Sequence, residues 1–428
     1  MAERRKAKKH SAEKSGRGSA WLSALKEAVT PALAIRVGIM LLLIAGLAAV
    51  MVLLNRAVKR EVPTAASLRV FVPAKITEVL SEDATPDTWT EGLRLGQQEL
   101  EVELLEGEYK GEVLPIQNFL SAYSNVDGKV GGRVIVRVDV DESGDPFVVM
   151  VANYDRGLVM GGLLLLFSAL LVAIGGKKGL MALLGLAFTI LCLLFLLIPL
   201  ILLGLPPIPC TIAFVAIATA ASLLLLTGFT RKTLCATLGC VGGTAAAGIL
   251  AAVVGVITPL SGFNMSEAEE LVLRASEYHL HISGLLVCGV LIASLGAVMD
   301  VAMSIASACQ ELRELNPMLT ARQLFQSGMN IGRDAMGTMA NTLILAFAGS
   351  ALNTLILFRA YNYPFLQIVN SDLIVIEVLQ GLAGSIGIIL TVPLVAAISA
   401  SLLSNRGKKA VAAPQARPKT KSAPQPVR

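Results

Sequence analysis

Asp300 is the one charge in a long apolar run, "LIASLGAVMDVAMSIASA" (Leu291–Ala308). Near the middle of a bilayer a carboxylate costs about 2.5–3.5 kcal/mol on insertion scales. Such a group is kept when it pairs with a neighbour or handles a proton, an ion or a solute. Read as a helix, Gly289, Ala293, Gly296, Asp300, Ser304 and Ser307 fall on one small, polar stripe. Small residues let helices approach closely, so the stripe is expected to face the bundle.

The next apolar run offers partners. "GRDAMGTMANTLILAF" (Gly332–Phe347) opens with Arg333 and Asp334 and sets Gly337 and Asn341 on one face with Arg333. Asn341 lies at a depth similar to that of Asp300, so a hydrogen bond between them, or an ion pair with a snorkelling Arg333, is expected. In the last run, "NSDLIVIEVLQGLAGSIGIILTVP", Glu377, Gln380, Gly381, Gly384 and Ser385 share a face. Two readings follow. In one, Asp300, Ser304, Arg333, Asp334, Asn341, Glu377 and Gln380 form a polar network that fixes helix register. In the other they line a transport path for a proton, ion or small solute. Gly296, Gly337, Gly381, Gly384 and Gly387 are expected at close helix crossings.

Enzyme chemistry finds little support. An aspartyl protease built on Asp300 and Asp334 would need both carboxylates facing each other inside the bilayer. Asp334 sits near the interface, and no GxGD motif is present. No nucleotide-binding loop occurs, no cofactor is implied, and no nucleic-acid partner is expected. His279 and His281 with Glu277 are the nearest approach to a metal set, but residues two apart on a helix point to different faces, so no metal site is expected. The six cysteines lie in or beside apolar runs without a CxxC pair and read as packing residues.

The elements that carry these residues are membrane spans. The chain is 54% hydrophobic and only 16% charged, against about 25% charged for soluble domains. Uncharged stretches long enough to span recur at Val37–Leu54, Leu158–Gly176, Gly179–Leu203, Cys210–Thr227, Thr233–Val256, Ile282–Ala308 (apart from Asp300) and Met336–Phe358. An eighth, Leu373–Leu403, is interrupted only by Glu377. "GLPPIPC" (Gly204–Cys210) divides two of them, because its prolines cannot continue a helix. Eight basic residues in the first thirty, and seven more at Lys177, Lys178, Arg231, Lys232, Arg313, Arg322 and Arg333, place those segments and both termini in the cytoplasm. The amphipathic Cys309–Asp334 stretch reads as an interfacial helix pair broken at Asn316-Pro317.

The expected fold is therefore an α-helical polytopic membrane protein with eight transmembrane helices and a small β-rich extracytoplasmic domain between the first and second. Residues 1–30 form a basic disordered tail, 33–54 a signal anchor, 60–155 the β domain, 157–404 seven further helices, and 405–428 a second basic tail. Strand-like alternation at Val70–Glu78, Glu99–Leu105 and Gly132–Tyr154, with turns at "GEYKGE" and Ser143-Gly144-Asp145, suggests an OB-like barrel. From Glu61 to Met150 there are 17 acidic and 7 basic residues.

"GAVMDVAMSIASA", "GRDAMGTMANTLILAFAG" and "EVLQGLAGSIGIILTVPL" resemble signature segments of the YibE/F family of bacterial multi-pass membrane proteins, with the likeness running from about Leu104 to Leu403. The resemblance implies a bacterial plasma membrane and an architecture similar to permeases and efflux proteins. The leading expectation is a transport protein with a path between its last three helices. The alternative is a scaffold or receptor acting through the outer β domain. The expected partners are the lipid bilayer, an unknown ion or small molecule, and a second copy of the chain in a homo-oligomer.

Overall fold

A computed structural model describes residues 45–58, 69–140, 146–260, 271–272 and 280–404. Both basic tails, the Ser143–Asp145 turn, Glu277 and His279 lie outside them. The chain divides into two compact units, Lys59–Leu180 and the remainder.

The first unit holds five antiparallel strands: β1 (Arg69–Pro86), β2 (Arg94–Leu104), β3 (Val113–Leu120), β4 (Arg133–Val140) and β5 (Pro146–Tyr154), in the order β3-β2-β1-β4-β5. Alternation sends Val72, Ala74 and Ile76 of β1, Leu100 and Val102 of β2, and Val134, Val136 and Val138 of β4 into one core. The long β1 pairs with β2 along its second half and with β4 along its first half. Register shifts between Ile76 and Glu78 and between Val79 and Ser81 mark bulges, which bend a strand, and the sheet is a half-barrel. The "GEYKGE" segment is the β2–β3 turn, as its two glycines at positive φ require. β3 ("VLPIQNFL") carries Pro115 and escaped notice in the sequence; as an edge strand it tolerates the proline.

One polar cluster stands out in this unit. Gln98 and Asn118 are buried and bonded to each other. Asn118 Nδ2 donates to Gln98 Oε1 (3.0 Å) and to the Val126 carbonyl (2.7 Å), while Gln98 Oε1 also accepts from the Gly128 N–H (2.9 Å). Arg94 pairs with Glu82 and Asp127. On β4, Arg137 donates from Nε to Asp139 Oδ1 at 2.8 Å. That bond holds the Asp139 carboxyl below its ordinary 3.8.

The second unit is helical: α1 (Ala45–Ala57), the later part of α2 (Gly157–Leu202), α3 (Pro207–Thr227), α4 (Arg231–Ile257), α5 (Leu285–Leu315), α6 (Ala321–Ser350), α7 (Leu352–Ala360), α8 (Phe365–Val369) and α9 (Asp372–Ser404). Five of these helices are long and apolar enough to cross a membrane, and six if the bent α6–α7 pair is one span. The α2 run is not one rod. Gly176 has φ 53° and ψ −132°. A Cβ added at Gly179 would lie 2.0 Å from the Leu171 carbonyl oxygen, where eight residues of straight helix would separate them by about 12 Å. The chain therefore doubles back at the expected "GGKKG" break. Further along, Leu193–Leu197 forms a π-turn, and Asn55 of α1 donates to its Phe195 carbonyl (2.9 Å).

α9 is the hub. At its crossing with α4, a Cβ on Gly243 would stand 1.7 Å from Thr391 Oγ1, and one on Gly239 would stand 2.1 Å from Val395 Cγ2. Backbones that close admit only glycine. α6 crosses α9 in the same way at Gly332, against Val392. α5 and α6 form a hairpin closed by a Thr320–Gln323 capping box and an Arg313 bond to the Leu319 carbonyl. The break falls at Asn316-Pro317 as expected, but the two arms are not a separate interfacial pair: with no glycine or proline between Ala308 and Leu315, α5 continues to Leu315, and the second arm is the start of α6 at Ala321.

Candidate functional site

Asp300 is the central residue of the 31-residue α5. The helix packs on the bundle through Leu291, Leu295, Val298, Val301, Ala302 and Ile305, which are buried. The opposite face carries Ala293, Gly296, Asp300 and Ser304, and all four are exposed. The expected inward stripe is thus the open side of the helix. Both faces have helical period, and the branched aliphatic one offers more interdigitating contact. Among the described residues Asp300 forms no hydrogen bond or ion pair, so the pairing with Asn341 or Arg333 is not made. Arg333 is exposed and, among the described residues, reaches Asn330 Oδ1 alone, at 3.5 Å. Asp334 and Asn341 are exposed as well. A Cβ on Gly296 or Gly337 would meet nothing within 4 Å, so these two glycines are not at crossings among the described residues.

The α9 residues fare differently. Gly387 lies against Ala247 (2.8 Å), Gly384 against Leu343 (2.7 Å) and Gly381 against Phe347 (3.6 Å), measured from an added Cβ. Gln380 stands over Gly289 of α5, 3.4 Å from where a Cβ would be. Glu377 is half-buried where α6 gives way to α7. These two helices are bent by 53° across Ala351. Ser350, the last residue of α6, donates from Oγ to Glu377 Oε2 (2.9 Å) and shares that proton with the Phe347 carbonyl (2.8 Å). A cavity of about 210 Å³ with almost wholly apolar walls opens beside Glu377, lined by Phe347, Ala351, Leu355, Ile374 and Gly381 among others, and the carboxylate oxygens do not face into it. Glu377 is its one polar side chain, and Asp300 is not in its lining.

Sequence reasoning missed Ser350 and the helix break. The signal was the Gly349-Ser350 pair, since glycine–serine pairs are a recognised cause of sharp kinks. It also missed Gly239 and Gly243, whose spacing of four is the small-x-x-x-small pattern of close helix crossings. No group of three His, Cys, Asp or Glu able to hold a metal occurs among the described residues.

A β half-barrel followed by a bundle of apolar helices, with a carboxylate at a broken helix, defines a multi-pass membrane protein. The chain belongs to the YibE/F-like protein family, whose model matches residues 163–405, more than half its length. The likeness expected from Leu104 thus begins only at residue 163, and the β domain lies outside the matched residues. No curated protein and no solved structure matches the chain.

Proposed function

We propose that this chain is a transport protein of permease or efflux type, not an enzyme, that moves an ion or small solute between its last three spans, α5, α6–α7 and α9. The observation that carries the reading is the Ser350–Glu377 bond at the α6–α7 break. Transporters place substrate sites at discontinuous helices, because a break exposes backbone and side-chain polar groups inside the bilayer. An ionisable residue held there is a functional group by default.

Eight crossings are proposed, with the α2 run counted as two, the α6–α7 pair as one and α1 as the end of the first. The basic loops support an orientation with both termini in the cytoplasm of a bacterial cell and the half-barrel outside its plasma membrane. Its strand order supports an OB-like domain. Asp300, central on an open face, supports a homo-oligomer in which a second copy covers it. Reconstitution in liposomes with a panel of cations and small metabolites, with and without a proton gradient, tests the transport reading.

A second reading, a scaffold or receptor acting through the outer domain, is favoured by two bare aromatic side chains. Trp89 is 92% exposed and Tyr123 103% exposed. They stand on loops joined by reciprocal Arg94–Asn125 bonds. Failure of a Trp89→Ala, Tyr123→Ala protein with intact flux to complement a strain lacking the chain would favour that reading.

A further inference from the structure

We infer that a second cavity, where α3, α4, α5 and α9 end together, holds the phosphodiester headgroup of a membrane phospholipid. The inference is independent of the transport reading.

The cavity, of about 470 Å³, lies at the level where the apolar spans run out. Phe229 and Thr230 belong to the short link between α3, which stops at Thr227, and α4, which starts at Arg231. Gln310, Arg313 and Glu314 stand in the last turns of α5, and Leu403 is next to the last residue of α9. The membrane-spanning stretches begin or end at Thr227, Arg231, Leu315 and Leu403. That level is the headgroup layer, and in the proposed orientation it belongs to the cytoplasmic leaflet. Basic pockets between spans on that side are a recognised way of holding phospholipid headgroups.

The walls select a phosphodiester. Arg231 and Arg313 are each placed by a neutral partner: Arg231 Nη1 donates to the Leu402 carbonyl (2.9 Å) and Arg313 Nη1 to the Leu319 carbonyl. A carbonyl fixes a guanidinium without neutralising it, and the guanidinium fork matches phosphate oxygens. Arg231 has no carboxylate within ion-pair distance among the described residues. Glu314, which accepts from Gln310 Nε2 at 2.7 Å, brings the charge of the lining to +1. One negative charge, that of a phosphodiester, balances it. A polyphosphate brings several, and Glu314 opposes the excess. The remaining walls are apolar. Phe229 is 55% exposed and Leu403 is buried behind it in the wall. They suit the glycerol and first methylenes of a lipid, which a soluble phosphate lacks. The volume equals roughly sixteen waters at ~30 Å³ each, room for a phosphodiester and the groups on either side of it.

The test is native mass spectrometry of the full chain in detergent with added lipid, read as the number of bound copies. The probe is dioleoylphosphatidylglycerol. It is compared with dioleoylglycerol, which has the same chains and no phosphate, and with glycerophosphoglycerol, the headgroup without chains. The inference expects one saturable site for the phospholipid and binding weaker by about tenfold or more for each comparison. It expects a similar loss in Arg231→Gln, Arg313→Gln. It also expects loss in Phe229→Glu, which sets a carboxylate at the exposed rim and keeps both arginines with their carbonyl bonds. Lys177→Gln, Lys178→Gln removes the same amount of charge away from the cavity and should bind as the parent does. An equal loss in that control would show attraction to basic surface at large and overturn the inference. Equal binding of dioleoylglycerol, or undiminished binding by a folded Phe229→Glu protein, would overturn it too. Binding of glycerophosphoglycerol as tight as that of the lipid would assign the cavity to a soluble phosphate instead.

Discussion

Gly243→Ala should loosen the α4–α9 crossing, and the structure says by how much. The new Cβ would sit 1.7 Å from Thr391 Oγ1, 2.9 Å from Thr391 Cβ and 3.1 Å from the Gly387 carbonyl oxygen. Thr391 cannot simply turn away. It is fully buried, and its hydroxyl donates to that same Gly387 carbonyl at 2.7 Å. Turning it breaks the bond, worth about 1 kcal/mol. Moving the helices apart instead loosens the Gly239–Val395 contact. Overpacking of this kind costs about 1–3 kcal/mol, and the gain in helix propensity returns at most ~1 kcal/mol. With a 1.7 Å approach placing the overpacking cost toward the upper end of that range, a net loss of about 1–2 kcal/mol should lower the melting temperature in detergent by roughly 2–8 °C. Gly296→Ala is the control. Nothing lies within 4 Å of its added Cβ, so single chains in detergent should melt as the parent does or slightly higher. An unshifted Gly243→Ala protein, or a destabilised Gly296→Ala one, would refute the assignment of which glycines pack.

A cysteine placed at Gly92 should label from outside intact cells and one at Asn316 only after permeabilisation; the reverse pattern contradicts the proposed orientation. Because Arg137 holds the Asp139 carboxyl below 3.8, the pair's contribution to folding is complete above the unfolded value. It is lost as pH falls through the lower folded one, so Asp139→Asn should flatten the acid branch of the melting profile below about pH 5; an unchanged acid branch would show that the pair does not couple to folding. Asp300→Ala should leave single-chain melting unchanged within ~0.5 kcal/mol, since nothing among the described residues bonds to it, whereas Ser304→Cys on the same open face should form disulfide-linked dimers in membranes; a destabilised Asp300→Ala protein or an uncrosslinked Ser304→Cys one contradicts the open face.

Much of the fold was legible because hydropathy and alternation are one-dimensional signals. The apolar runs, the divide at "GLPPIPC", the turn at "GGKKG" and the strands β1, β2, β4 and β5 could all be read along the chain. What was not legible is which face of a helix turns inward. The Asp300 stripe and its opposite Leu–Val–Ile face repeat with the same period, and only packing against α4, α6 and α9 decides between them. The partner of Glu377 was hidden for a related reason. Ser350 is distant in sequence and meets the carboxylate only because α6 stops at Gly349-Ser350, a break that the uncharged run Met336–Phe358 disguises as one continuous span.

The central claim is that Glu377 at the α6–α7 break carries a transported species. The most direct measurement is uptake into proteoliposomes across a cation and metabolite panel, comparing the parent chain with Glu377→Gln at matched folded yield. Flux in the parent that is abolished in Glu377→Gln is the predicted result. Equal flux through both proteins would contradict the account.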